Sequence, residues 1–325
     1  MKKFLGYFML VSLFAIFIGC SKTTPTQTTI DTPWTAKAAL NFPRHWLTAA
    51  INNNKIYAIG GGLQDDTLKT TEEYDPTANV WTIKSLMPTG RIGLAAATIN
   101  SRIYAIGGWR ANWLNIVEEY DPSTNNWSVK DTMPKPIGDM AIAVINDKIY
   151  ILGGFDYNLN NSVYEYNPTN DSWVKKANMP TGRIALTAAV VNSKIYAIGG
   201  NRGTAIDDTC LVTVEEYNPL ADTVGGTPWI TKSSMPTVRS GLASAVVNDK
   251  IFVFGGFNET GGVKVYLSTL EVFDPIANTW QTKTSMPTAR GALSAVAVSN
   301  LIYVVGGYNS NGMLSTVEMY DPSKD

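Results

Sequence analysis

The chain has few of the residues that most enzymes use for chemistry. It has one histidine, His45, and two cysteines, Cys20 and Cys210, in 325 residues. A lone imidazole excludes a histidine-rich zinc or copper centre, and no serine stands beside a plausible His/Asp relay. Charge is scarce too: 16% of residues are charged, the formal net charge is −1, and the 26 basic residues form no run. That removes the electrostatic footprint of a nucleic-acid binder. The recurrent Gly-Gly pairs are not followed by helical patterns, so they are not phosphate loops, and no cofactor or metal is expected. What remains for acid/base chemistry is carboxylates such as Asp139, Asp207 and Asp208.

Long apolar runs are confined to the N terminus. Lys2 and Lys3 precede the stretch 4–19, which is short for a membrane span and fits the hydrophobic region of a signal peptide. Its end, Phe17-Ile18-Gly19-Cys20, resembles a bacterial lipoprotein cleavage box, with Phe17 where Leu is usual. The resemblance implies a signal peptide at 1–20 and lipidation of Cys20; the alternative is a plain secretory signal with Cys20 incidental. A Thr-rich flexible tether follows at 21–33, ahead of the domain at 34–325. The expected location is the cell envelope, exported and lipid-anchored, on the periplasmic or cell-surface side. An acylated Cys20 leaves Cys210 without a disulfide partner in the chain.

The domain is built on repetition. Ile56-Tyr57-Ala58-Ile59-Gly60-Gly61 returns near-unaltered from residues 103, 149, 195, 251 and 302, at steps of 47, 46, 46, 56 and 51. A period in this range signals a stack of like supersecondary units. Each unit has a strand of small residues, a two-residue turn such as Asn53-Asn54, and the apolar Gly-Gly strand. A strand closing in Tyr/Phe-Asp/Asn-Pro and a strand carrying Trp81, Trp127, Trp173, Trp229 or Trp280 follow. Four antiparallel strands per unit predict an all-β, six-bladed β-propeller. The tyrosines and tryptophans read as packing between sheets. The sixth unit stops before its Trp strand, whereas Trp34-Thr35-Ala36-Lys37 precedes the first unit as an orphan. The N-terminal strand therefore is expected to complete the last blade and close the ring.

The paired glycines, the spaced Trp and the Glu two residues before the aromatic (Glu72, Glu118, Glu215, Glu271, Glu318) together resemble the Kelch repeat over residues 34–325. The third unit departs from it, with Tyr164 in place of the Glu.

Strand alternation places the loop entering each first strand on the same face as the residues after each Gly-Gly. Most entry loops read Met-Pro-x-x-Arg, which puts Arg91, Arg183, Arg239 and Arg290 near one mouth of the central channel. Two loops differ: Phe42-Pro43 leads to Trp46, and Met133-Pro134 to Ile137. The Kelch resemblance implies that arginines at this position bind ligand, acidic peptides included. The alternative is that each pairs internally with a carboxylate or carbonyl. Aromatics on the same face, Trp46, Trp109, Phe155, Phe257 and Tyr308, complete the candidate ligand site. Longer spacings in the fourth and fifth units predict an asymmetric rim, and the insertion 220–226 falls on the opposite face. The expected function is non-catalytic binding of a protein loop, acidic peptide or glycan by a monomer that meets membrane only through its lipid. The alternative is a mutarotase or epimerase acting on an acidic sugar such as sialic acid, like some Kelch propellers.

Overall fold

The structure is a computed structural model that describes residues 32–203, 209–260 and 263–325. The signal segment, Cys20, tether residues 21–31, Asp207 and Asp208 lie outside the described residues. Among the described residues there are six four-stranded antiparallel sheets, one per repeat, arranged as the blades of a propeller. Blade one runs from the axis outward as Thr48–Asn52, Lys55–Ile59, Thr71–Asp75 and Val80–Ile83. The turn between its first two strands has Asn53 and Asn54 at φ of 49° and 59°. Positive φ at both central residues suits the right-handed twist of a tight hairpin, which explains the recurrent Asn there.

Hydrophobic clusters fill the spaces between neighbouring blades rather than one central core. Ala50, Tyr57 and Ile59 of blade one, for example, pack on Ala96, Ile103, Ala105 and Tyr120 of blade two. The second strand of each blade is buried on both faces, which is why it reads as a continuous apolar run. At the outer edge a polar staple repeats. The Tyr120 hydroxyl donates to Asn125 Oδ1, and the same oxygen accepts from the Ser85 backbone N–H of the preceding connection. Tyr217, Asp222 and the Ala177 N–H repeat the arrangement. Part of the 220–226 insertion therefore serves this staple. Trp127 and Trp229 complete it, donating Nε1–H to the carbonyls of Ser85 and Ala177.

Ring closure follows the expected route. Trp34–Lys37 pairs antiparallel with Val317–Tyr320, in the register Trp34↔Tyr320. Trp34 takes the place of the missing sixth Trp, donating Nε1–H to Thr284 O at 2.9 Å. Asp325 accepts from the Tyr320 hydroxyl and from the Thr284 N–H, as Asn125 does in blade two.

Candidate functional site at the channel mouth

The arginines expected at the mouth are elsewhere. Arg91, Arg183, Arg239 and Arg290 are fully buried, each inside its own blade. Their guanidiniums reach Glu118, Glu215, Glu271 and Glu318 at 2.5, 2.6, 2.8 and 3.0 Å. The remaining donors serve strand carbonyls; Arg91 Nη2, for instance, donates to Ala105 O. The glutamates take a second bond from the loop threonines Thr89, Thr181, Thr237 and Thr288. Internal pairing thus replaces the expected ligand contact, because the side chain turns back into its blade while its carbonyl faces the neighbour. That carbonyl accepts from the second glycine of the preceding pair, as Arg91 O does from Gly61 N–H.

Blade one holds a fifth pair, Arg44–Glu72. The Leu40 N–H bonds Ser315 O just as the Met87 N–H bonds Lys69 O, so the equivalent loop is Leu40-Asn41-Phe42-Pro43-Arg44. Burial pulls the Arg44 guanidinium down to about 10 against the opposing pull of Glu72, and it remains charged at neutral pH. Blade three alone lacks the pair: Ile137 and Tyr164 stand in its place, both buried.

The residue two beyond each of these positions forms the mouth. Trp46, Gly93, Asp139, Ala185, Gly241 and Ala292 all have φ between 50° and 60°. Their backbones close a ring of six hydrogen bonds around the axis. Each N–H donates to the carbonyl of the residue one blade back, at 2.8–3.0 Å, and Trp46 N–H closes the circle on Ala292 O. Left-handed backbone is costly for the four residues here that are not glycine, so the ring fixes a strained conformation in four of the six blades. Beneath it the innermost strands enclose a channel of about 220 Å³, walled mostly by Ala, Ser and Thr.

A second circle surrounds the first. The residue before each ring member pairs with the residue after the same blade's Gly-Gly: His45 with Gly62, Ile92 with Trp109, Gly138 with Phe155, Ile184 with Asn201, Ser240 with Phe257 and Gly291 with Tyr308. Entry loops and post-glycine segments therefore share one face, as strand alternation requires. The glycine pair makes this turn possible: Gly60 and Gly61 lie at φ of 61° and 98°, and a Cβ on Gly60 would stand 2.8 Å from Arg91 O.

This rim is aromatic and uneven. Trp109 is 37% and Tyr157 67% exposed. Trp113 packs edge-on against half-buried Phe155, and the Tyr157 hydroxyl reaches Asn112 at 3.4 Å, linking the segments of blades two and three. Across the mouth, half-buried Trp46 and Tyr308 lean on Phe257. Phe257, expected to meet ligand, is instead buried under the Lys264 ammonium at 4.7 Å and beside Tyr266, and it supports the rim from below. Its hairpin, Phe257–Thr260 with Val263–Tyr266, is the longest described on this face. Lys264 and Tyr266 belong to this side without having stood out in the sequence, and the lone histidine, His45, lies there too; burial lowers its imidazole below its ordinary value.

Among the described residues Asp139 is the one ionisable residue lining the channel. Water can reach its carboxyl from the channel, but protein surrounds it, and burial raises it to about 7. Among the described residues no cluster of three or more His, Cys, Asp and Glu is placed to hold a metal ion.

Paired-glycine blades around a central channel define the class, a six-bladed propeller with its entry loops and post-glycine segments gathered at one mouth. The family model described as the KLHDC2/KLHL20/DRC7 Kelch-repeats domain matches residues 23–200 and 140–325, and the chain belongs to the Kelch-repeat family. Spermatocyte protein spe-26 of Caenorhabditis elegans is 40% identical over 82 residues, 25% of this chain and 14% of that protein. Kelch-like protein 36 of Rattus norvegicus is 32% identical over 117 residues, 36% of this chain and 18% of that protein. The matched stretches span less than a fifth of either relative. The solved structure of YjhT shares the fold, with a TM-score of 0.74 at 18% identity, covering 88% of this chain and 95% of that one.

Proposed function

We propose that this propeller is a non-catalytic binding module that takes a protein loop across the aromatic rim of the mouth. The observation that carries the reading is the pair Trp109 and Tyr157, large exposed aromatics on one face beside an open channel. The likeness to Kelch-like proteins supports a protein as partner. An acidic peptide loses its support, because the arginines that would grip it are neutralised inside the blades. A loop peptide selected by display against the full-length chain tests the reading. Trp109→Ala together with Tyr157→Ala is expected to weaken it at least tenfold. An unchanged affinity, or selection of glycans alone from an array, would overturn it.

A second reading, a sugar mutarotase or epimerase, draws on Asp139, a carboxyl raised to about 7 where a proton could be exchanged near neutrality. For an acidic sugar such as sialic acid the entry-loop arginines cannot serve as the clamp, because they are paired inside the blades, which leaves Arg110 and Arg202 of the rim. Anomer exchange that disappears in Asp139→Asn would favour it over binding alone.

We further propose a place at the cell envelope, through lipid on Cys20; Lys2, Lys3 and the apolar stretch before Gly19-Cys20 support it. Labelling with a radioactive fatty acid that Cys20→Ser abolishes is the expected result; equal labelling of the variant would contradict it.

A further inference from the structure

Two features meet at one side of the mouth. Among the described residues Asp139 is the only ionisable group lining the channel, and its carboxyl has no ion pair and no hydrogen-bond donor. Gly93 lies between Trp46 and Asp139 in the hydrogen-bonded ring. A Cβ on Gly93 would fall 2.2 Å from Asp139 Oδ1, so the carboxyl reaches over the bare glycine and its place depends on the missing side chain. Trp46, on the other flank of Gly93, borders the same opening, but its ring leans on Phe257 across the mouth.

An enclosed carboxylate with no internal partner is costly unless a positive charge joins it. The guanidiniums of the entry loops are buried against their own glutamates, and the exposed Arg110 and Arg202 stand on the outer rim segments of blades two and four rather than among the residues lining the channel. Below the mouth, the Ala, Ser and Thr walls and about 220 Å³ of space admit an alkyl chain carrying such a charge.

We propose that the channel mouth is a socket for a basic side chain, the Lys or Arg of a partner loop, with Asp139 as its counter-ion. The inference rests on the rim reading above and names the chemistry of the residue at its centre. It reverses the preference for acidic ligands that the loop arginines suggested.

The test uses three peptides on the full-length chain: acetyl-Gly-Lys-Gly-amide, its neutral norleucine analogue and its Glu analogue. Calorimetry or NMR titration is expected to show the Lys peptide binding at least tenfold tighter than either of the others. Asp139→Asn should remove that preference while leaving the norleucine peptide unchanged; Asn keeps the shape and tolerates the positive φ. Equal binding of the three peptides would overturn the socket, as would a Lys preference that survives in Asp139→Asn. The two readings fail separately. If the rim substitutions abolish capture of a display-selected loop while Asp139→Asn leaves the Lys preference intact, the rim stands and the socket falls.

Discussion

Ile137 and Tyr164 occupy, in blade three, the two positions at which each of the other five blades places a buried arginine and the glutamate it grips. The two departures from the repeat are one departure. An ion pair has been exchanged as a unit for an aliphatic and an aromatic side chain, and both join the same apolar cluster. A buried pair can be replaced whole at little cost, whereas removing one member strands a charge.

The first prediction follows from that exchange. Glu215→Gln leaves the fully buried Arg183 without its counter-charge and should lose about 3–5 kcal/mol in denaturant melts. The double change Arg183→Ile with Glu215→Tyr copies blade three into blade four. It should recover most of that loss. A double variant less stable than the single one would contradict the account.

The fold was legible because every element recurs with its turn chemistry intact, from Asn53-Asn54 to the Trp34 strand that supplies the sixth outer edge. The arginines were harder. In the chain Arg91 and Glu118 are 27 residues apart, and a loop arginine beside proline reads as exposed. The signal that could have paired them was their joint absence from the third unit. Blade one misleads for a similar reason: Phe42-Pro43 imitates Met-Pro, while the counterpart of Met87 is Leu40. The mouth ring was hidden because only two of its six left-handed residues are glycine. Long-range hydrogen bonds impose that conformation on Trp46, Asp139, Ala185 and Ala292, and no local pattern announces it.

The closing strand is open to direct test. Trp34 is buried against Phe254 and Tyr320 and bonds Thr284 O. Trp34→Ala should cost about 3–5 kcal/mol, as large-to-small core changes do. Deleting 33–38 should unfold the ring cooperatively rather than release one blade. Calorimetry that finds five blades melting unchanged would contradict closure as the source of stability.

Asp139 sets a pH dependence. Its carboxyl is raised from 3.8 to about 7 by burial, so the folded chain holds this proton more tightly than the unfolded one. The penalty is therefore absent below about pH 4, grows as pH rises, and levels off above about 7. Asp139→Asn should match the parent near pH 4 and exceed it near pH 8 by roughly 1–3 kcal/mol, a range reduced for the water that reaches the group. Thermal melts at the two pH values decide it; an equal gain at both would point to packing instead.

Exposed and supporting aromatics should separate in stability. Trp109→Ala and Tyr157→Ala remove exposed rings and should each stay within about 0.5 kcal/mol of the parent. Phe257→Ala empties a buried position beneath Lys264 and should cost about 3–5 kcal/mol. Urea melts of the three variants check the distinction.

The central claim is that partners meet the aromatic mouth and not the arginines or the far face. Hydrogen exchange of the full-length chain with a display-selected loop peptide tests it most directly. Protection is expected at the rim segments 109–113, 155–159 and 263–266, with the turns 76–79 and 122–125 unchanged. Protection at those turns, with the rim still exchanging freely, would contradict the account.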